Sequence, residues 1–139
     1  MKKIGITGSI ASGKTTASKI LSVKRGPLFS ADSVVKKLYK SNKLKKLILK
    51  KFNIKNSLRF KNKLKEKILK NNKNIKKLEM LIHPLVRKEM KKFSLLNKNK
   101  KTIFYEIPLL IESKLMRYFD VIIFIKAKKK IRLKRFVEK

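Results

Sequence analysis

The 139-residue sequence predicts an α/β fold with a central parallel sheet. Short apolar runs alternate with segments of helical periodicity, which is the pattern of strands joined by crossover helices. Residues 120–125 are apolar after the first position, as is typical of a strand buried on both faces of a parallel sheet. The first apolar run leads directly into a glycine-containing loop and then into a helical segment.

The first element is a strand predicted over residues 2–7, and the loop after it fits the spacing G-x-x-x-x-G-K-[ST]. Its members are Gly8, Ser9, Ile10, Ala11, Ser12, Gly13, Lys14 and Thr15. This spacing is typical of the phosphate-binding loop of nucleotide triphosphatases and kinases. All four fixed positions and both flanks agree with that interpretation, so the loop predicts a nucleotide phosphate site.

Each fixed position of the loop has a physical role. Gly8 and Gly13 are expected to take positive φ and to let the backbone approach an oxyanion. The loop N–H groups and the positive end of the following helix would then bind phosphate. Lys14 is expected to reach the β- and γ-phosphates of ATP as a point charge, and the Thr15 hydroxyl to ligate Mg²⁺.

A helix is predicted next over residues 16–24, with Ala17, Ile20 and Leu21 on one apolar face. The glycine and proline at positions 26–27 end it, since both residues favour turns. The helix therefore follows the loop without a break, as a phosphate-binding loop requires.

A short second strand is predicted over residues 28–30. Asp32 follows that strand and is expected to be the N-cap of a helix over residues 33–39. A carboxylate at a strand end, across from a phosphate loop, is also a candidate for orienting an attacking hydroxyl.

The middle of the chain predicts a series of amphipathic helices. Apolar residues recur there at intervals of three and four positions, which indicates helices that bury one face. The predicted helices cover residues 43–52, 61–70, 74–82 and 84–96. His83 separates the last two, because a residue before proline is disfavoured in the helical region, and Pro84 suits the first turn of the following helix.

Two further strands are predicted over residues 102–106 and 120–125, and a last helix over residues 129–139. Ligands of open parallel sheets bind outside the carboxyl ends of the strands. The phosphate loop, Asp32 and Glu106 all lie at predicted strand ends, so we expect them around one cleft. Glu106 is therefore a candidate for ordering Mg²⁺ through water.

The formal net charge is +33, from 41 basic and 8 acidic residues. Of the basic residues 35 are Lys and 6 are Arg, and Ile (16) and Asn (9) are also frequent. Lys, Ile and Asn share A/T-rich codons, so a biased base composition explains the charge without a partner. Interfaces that read or stack bases favour Arg and aromatic residues. We expect non-specific affinity for polyanions and no specific nucleic-acid partner.

Composition also limits the class of protein. The length suits one domain, and 42% hydrophobic residues suffice for a core. The absence of Cys excludes disulfides and Cys-based metal sites. No apolar run approaches the ~20 residues of a membrane span, and the N-terminus does not resemble a signal peptide. We expect a cytoplasmic monomer with no membrane partner.

Two motifs beyond the phosphate loop are more specific than the loop itself. Ile-His-Pro-Leu-Val-Arg ends at Arg87, and Ile-Pro-Leu-Leu-Ile-Glu ends at Glu112. They accompany residues 6–16, Ala31-Asp32, and the apolar run 120–125 followed by Arg132 and Arg135. In this order and spacing the chain resembles the dephospho-CoA kinase family over its whole length, with a somewhat shortened helical stretch around residues 41–59.

The resemblance implies a P-loop NTPase three-layer fold with a central parallel sheet and a helical substrate-binding insertion. A single kinase domain would span residues 1–139, with the helical substrate region at about 40–97. The implied activity is transfer of the ATP γ-phosphoryl group to the ribose 3′-hydroxyl of dephospho-CoA, the last step of coenzyme A biosynthesis. ATP and Mg²⁺ would serve that reaction, and dephospho-CoA would be the small-molecule partner.

The resemblance also implies roles for residues. The loop from Gly8 to Thr16 would hold ATP. Lys14 and Asp32 are the candidate catalytic residues, with Asp32 as the base near the acceptor hydroxyl, and Thr15 and Glu106 are the candidate metal ligands. The dephospho-CoA site would include His83, Arg87, Pro108, Leu109 and Glu112. Arg132 and Arg135 lie in the last helix, where kinases of this type carry arginines toward the transferring phosphate.

The sequence departs from the family pattern in two places. Many family members have Asp-Ala-Asp where this chain has Ser30-Ala31-Asp32. The family pattern also continues past the last residue here, with a lid helix, a final strand and a closing helix. We therefore expect the lid and last strand to be missing, an apolar sheet margin to be exposed, and activity to be reduced.

Three alternatives remain open at this point. The chain could be another small-molecule or nucleoside monophosphate P-loop kinase, which shares the loop and the fold. It could be a decayed ATP-binding remnant with non-specific polyanion binding. A nucleic-acid-binding protein that uses the +33 charge is the third, but that reading gives no reason for the motif from Glu106 to Glu112.

Overall fold

The elements follow the predicted chain order in a computed structural model that describes residues 1–56, 58–111 and 113–138. The strands are β1 (Lys2–Gly8), β2 (Leu28–Ser30), β3 (Thr102–Glu106) and β4 (Val121–Ile125). The α-helices are α1 (Lys14–Ser22), α2 (Ala31–Tyr39), α3 (Asn42–Lys51), α4 (Phe60–Lys70), α5 (Lys73–Leu96) and α6 (Lys129–Val137). A 3-10 turn covers Met116–Tyr118.

The four strands form one parallel sheet in the order β2-β3-β1-β4, which confirms the predicted fold class. In register, Ile6 and Ser30 both lie opposite Glu106, and Gly8 lies opposite Ile125. The carboxyl ends of all four strands therefore meet at the same edge of the sheet. This is the edge at which ligands of parallel sheets bind.

The chain divides into two compact units. The sheet unit comprises Met1–Asp32 and Met90–Lys139, and the helical unit comprises Ser33–Glu89. The helical unit overlaps the predicted helical region at about 40–97. The assignment of one kinase domain to residues 1–139, and of that region to substrate, stays a prediction.

The core of the sheet unit lies around Tyr105 of β3. Its ring contacts Phe29, Phe93, Tyr118 and Phe119, with ring centroids 5.4–5.7 Å apart. Most of these pairs are edge-on, the arrangement that aromatic quadrupoles favour. The packing fixes β3, whose last residue is Glu106, at the centre of the unit.

α1 packs on the strands β1, β2 and β3 through small polar residues. It buries Ser18 and Ser22, whereas Ile20, predicted on the apolar face, is 68% exposed. The Ser18 hydroxyl donates to the Lys14 carbonyl at 2.8 Å, which offsets the cost of burying it. Apolar periodicity did not find this face, because its buried residues are serines.

Asp32 does not cap a helix as predicted. β2 passes directly into α2, which begins at Ala31, so Asp32 lies in the first turn of the helix. An acidic side chain there interacts favourably with the helix dipole. The carboxylate is exposed and does not need to serve as a cap.

The two helices predicted on either side of His83 and Pro84 form the single helix α5. Pro84 has no N–H, so the Met80 carbonyl one turn earlier loses its helical donor. Met80 lies on the exposed side of the helix. The prediction of a helix break was therefore wrong.

β4 is an edge strand of the described sheet, and not a strand buried on both faces as predicted. Val121 and Phe124 are 45% and 44% exposed. The composition of the strand suggested an interior position, but its only partner among the described strands is β1. Val121 and Phe124 therefore form an exposed apolar margin along β4.

The helical unit has an apolar core of its own. It contains Leu44 and Ile48 of α3 and the C-cap residue Phe52. These pack with Phe60 and Leu64 of α4. Ile54 and Ile82 complete the cluster. The spacing that predicted helices over residues 43–52 and 61–70 is confirmed.

In the described part of the chain, no helix has the length and apolar character needed to cross a membrane.

Candidate active site

The phosphate loop connects β1 to α1 through two residues with positive φ. They are Gly13, with φ +88 at the N-cap of α1, and Ala11, with φ +57. Gly8, which was also expected to take positive φ, does not, since it still belongs to β1. A Cβ atom at Gly8 would lie 2.5 Å from the Ile125 carbonyl oxygen and 2.7 Å from Ser12 Oγ. Gly8 is therefore required by close approach and Gly13 by backbone conformation.

The N-terminus of α1 forms the floor of the anion site. The helix begins at Lys14, and no side chain caps its N-terminus among the described residues. The N–H groups of the first turn lack helical acceptors and carry the positive end of the helix dipole. Together with the loop they make a site for phosphate.

Thr15 and Glu106 form the shortest polar contact of the site. The Thr15 hydroxyl donates to Glu106 Oε1 at 2.6 Å, which links α1 to the carboxyl end of β3. Glu106 is only 2% exposed. Burying a carboxylate costs stability unless it is paired, hydrogen-bonded or bound to a metal. In this structure the Thr15 hydroxyl supplies one such hydrogen bond to the Glu106 carboxylate.

These two oxygen donors fit a magnesium ion beside the phosphates. No cluster of three or more His, Cys, Asp or Glu residues occurs in the described ranges. Mg²⁺ does not need such a cluster, since it is usually held by one or two carboxylates together with water and substrate phosphates. A hydroxyl and a carboxylate next to the loop are the donors that this mode of binding requires.

Asp32 and Pro108 lie along the same cleft as the loop. Asp32 follows β2, and Pro108 follows β3, so the parallel register carries both to the loop edge of the sheet. The Asp32 carboxylate is exposed and is free to meet a substrate. Its position agrees with the expectation of one cleft.

Arg135 of α6, near the other end of the chain, contacts the phosphate loop. Its Nη1 donates to the Ala11 carbonyl at 3.4 Å, and a Cβ atom at Gly13 would lie 3.3 Å from the same nitrogen. Arg132, predicted with it, lines a smaller neighbouring cavity of 190 Å³ with Ile10 and Phe136. Only Arg135 is thus brought to the phosphate loop cleft.

The cleft itself has a volume of 840 Å³. It brings together most of the predicted nucleotide residues with Asp32 and Pro108. Sequence reasoning missed four of its lining residues, which are Ala17, Ile20, Ile125 and Glu138. The exposed Ile20 follows from the serine face of α1, whereas nothing in the sequence marks Glu138.

Three of the predicted substrate residues do not line the cleft, and a fourth lies outside the described residues. His83 and Arg87 are exposed on α5 within the helical unit. Leu109 is exposed in the loop after β3, with φ +52, and is not among the residues that line the cleft. Glu112 lies outside the described residues.

Comparison with protein families gives a match to the dephospho-CoA kinase model over residues 2–139. A dephospho-CoA kinase of Rickettsia prowazekii is 40% identical, over 99% of this chain and 71% of that protein. The corresponding enzyme of Fusobacterium nucleatum is 34% identical, over 98% of this chain and 72% of its own length.

Solved structures give the same fold. A crystal structure of a Thermus thermophilus protein has a TM-score of 0.76 and 27% identity, covering 99% of this chain and 72% of the other. A dephospho-CoA kinase of Campylobacter jejuni has a TM-score of 0.58 and 21% identity, covering 98% of this chain and 94% of the other. The sheet and its helices thus have the P-loop NTPase architecture.

Proposed function

The chain belongs to the dephospho-CoA kinase family, and we propose that its cleft transfers the γ-phosphoryl group of ATP to the ribose 3′-hydroxyl of dephospho-CoA. One observation carries the proposal. A phosphate loop with every fixed position present shares a cleft with Asp32 and is tied by Thr15 to the buried carboxylate of Glu106. Such a cleft holds the parts that phosphoryl transfer needs, which are charge neutralisation and a group that orients the attacking hydroxyl.

The phosphates of ATP would bind at the loop and the first turn of α1. Backbone N–H groups there donate to phosphate oxygens, and Lys14 adds a positive charge beside the β- and γ-phosphates. Arg135 adds a second cation, since its guanidinium already lies at the Ala11 carbonyl. These groups stabilise the charge that develops on the transferring phosphoryl oxygens.

Asp32 would orient the acceptor hydroxyl and take its proton. The bond formed joins the 3′-oxygen to the γ-phosphorus, and the bond broken joins that phosphorus to the oxygen that bridges it to the β-phosphate. ADP leaves with the electron pair of the broken bond. Asp32 suits this role because its carboxylate is exposed in the cleft at the end of β2.

Thr15 and Glu106 would hold Mg²⁺ at the phosphates, as their oxygen donors and burial suggest. When bound, the ion would neutralise negative charge on the phosphate oxygens. Lys14 and the loop would position the same phosphates, so the cleft needs no enclosing metal cage.

Dephospho-CoA would contact residues of both motifs that carry the family resemblance. We assign His83, Arg87, Pro108, Leu109 and Glu112 to that substrate, with Arg87 as a candidate for bidentate binding of a phosphate. Pro108 has structural support, because it lines the cleft. We further propose a cytoplasmic monomer with neither a membrane partner nor a specific nucleic-acid partner.

The test is formation of coenzyme A from Mg-ATP and dephospho-CoA, followed by mass spectrometry. Lys14→Ala is expected to lower the rate on the order of 10²–10³-fold, the usual loss when one charge-stabilising donor is removed. Lys19→Ala is the matched control, since Lys19 is exposed on the same helix. The control should retain the activity of the unchanged protein.

Three other results would replace the proposal. Turnover of a nucleoside monophosphate without turnover of dephospho-CoA would make the chain a different P-loop kinase. Protection from heat by ATP without product would make it an ATP-binding remnant. A Lys19→Ala variant as inactive as Lys14→Ala would show that the loss does not report on the phosphate loop.

A further inference from the structure

The segment between Asp32 and Glu66 has no negative charge. Residues 33–65 contain 13 basic residues and no acidic one. The lysines of the helix Asn42–Lys51 have no carboxylate three or four positions away with which to pair. The helical unit as a whole holds 20 of the 41 basic residues and 3 of the 8 acidic ones. Residues 33–65 therefore form the acid-free run of the chain with the most basic residues, and this run lies outside the phosphate loop.

α3 presents part of this charge in a fixed row. Ser41 caps the helix by accepting a hydrogen bond from the Leu44 N–H at 3.3 Å, and Leu44 and Ile48 anchor it in the core at 0% exposure. Lys43, Lys46 and Lys50 are exposed at positions i, i+3 and i+7, which places them on one side. At 1.5 Å per residue the row is roughly 10 Å long.

We propose that this lysine face (Lys43, Lys46 and Lys50) binds the phosphate backbone of nucleic acid without reading its sequence. Lys is a point charge that neutralises phosphate and releases counterions. The face has neither the arginines nor the aromatic rings with which proteins read and stack bases. Binding is therefore steeply dependent on salt and tolerant of sequence.

An anionic membrane is the less suitable partner for this face. A helix that lies in a membrane surface needs a free apolar face to insert between the lipids. The apolar side of α3 is already used, because Leu44, Ile48 and the adjoining Phe52 are buried in the helical unit. Only electrostatic attraction is then available for binding a partner, and the phosphate backbone of nucleic acid provides the opposite charge.

The test measures binding of a fluorescein-labelled 20-base-pair duplex by anisotropy between about 50 and 200 mM NaCl. The triple substitution Lys43→Gln, Lys46→Gln and Lys50→Gln is compared with Lys98→Gln, Lys100→Gln and Lys101→Gln. The control residues are exposed lysines of the sheet unit, and both triples remove the same charge. The slope of log K against log salt should become shallower by about 2–3 in the first triple, at about 0.9 for each phosphate contact.

Equal slopes in the two triples would overturn the proposal, since the charge of the whole chain would then account for binding. A second duplex of unrelated sequence should bind equally well, and strong preference for either sequence would also overturn it. Phosphatidylglycerol vesicles distinguish the membrane alternative. Loss of vesicle binding in the first triple with unchanged duplex binding would assign the face to lipid. Unchanged melting temperatures confirm that both triples are folded.

Discussion

The sheet unit and the helical unit differ in what they bury. Among the described residues, all six buried polar or charged side chains lie in the sheet unit. They are Thr7, Ser12, Ser18, Ser22, Ser94 and Glu106. The buried side chains of the helical unit are apolar, and none of its described lysines is buried. The comparison shows that the sheet unit, which carries the phosphate loop, accepts the cost of polar burial, whereas the fully buried side chains of the helical unit are all apolar.

The largest effect on the free energy of unfolding is expected for a substitution in the apolar core of the helical unit. Ile48→Ala should reduce the free energy of unfolding by about 2–5 kcal/mol, because Ile48 is fully buried and leaves a cavity. Leu47→Ala is the control at the preceding position of α3, where the side chain is 36% exposed, and should cost under about 1 kcal/mol. Urea unfolding followed by circular dichroism measures both. Equal losses would contradict the assigned core.

The phosphate loop should respond to a single added methyl group. Gly8→Ala places a carbon against the Ile125 carbonyl and should cost about 1–3 kcal/mol, with loss of thermal protection by ATP. Ala11→Gly in the same loop removes a side chain from positive φ and should leave stability unchanged or slightly higher. Thermal shift with and without Mg-ATP measures both variants. A stable Gly8→Ala variant that still binds ATP would refute the close-approach argument.

Glu106→Gln separates function from stability in the sheet unit. The magnesium concentration for half-maximal activity should rise about tenfold or more, since the carboxylate is lost. The melting temperature should stay the same or increase, because a buried charge is removed. Glu79→Gln, exposed on α5, should change neither quantity. An unaltered magnesium requirement in Glu106→Gln would exclude this carboxylate from the metal site.

The smallest effect concerns pH. Burial raises the pKa of the Tyr105 hydroxyl well above its usual value of 10.0. The unfolded chain ionises near pH 10 while the folded chain keeps the proton, so this stabilisation is complete below pH 10 and is lost as pH rises toward the folded pKa. The melting temperature of Tyr105→Phe minus that of the unchanged protein should therefore increase by about 2 °C between pH 9 and pH 11. A difference between the two proteins that does not vary with pH would contradict the assignment.

Local sequence patterns predicted where the helices and strands lie better than they predicted which residues those elements pack against. The loop from Gly8 to Thr15 was found from spacing alone, and β3 lies where its apolar run predicted it. The serine face of α1 was missed, because the partner of each buried hydroxyl is a backbone carbonyl that apolar periodicity does not reveal. Pro84 was read as a helix break because the local cost is real, but one lost hydrogen bond did not end α5.

The candidate site shows the same limit. Strand ends placed Asp32 and Glu106 at one edge correctly, since parallel strands bring their carboxyl ends together. The hydrogen bond between Thr15 and Glu106 was not predictable, because it joins residues 91 positions apart in sequence. The roles assigned to His83, Arg87 and Leu109 stay predictions.

By itself the sequence determined the α/β class, the phosphate loop, the family resemblance and the excess of positive charge. Each depends on the type and spacing of neighbouring residues, which local chemistry already fixes. Only the tertiary structure decided that Gly8 is required by the Ile125 carbonyl, that β4 lies at the sheet edge, and that Arg135 rather than Arg132 reaches the phosphate loop cleft. These features join residues more than 100 positions apart, and their positions follow from how the strands pair and pack.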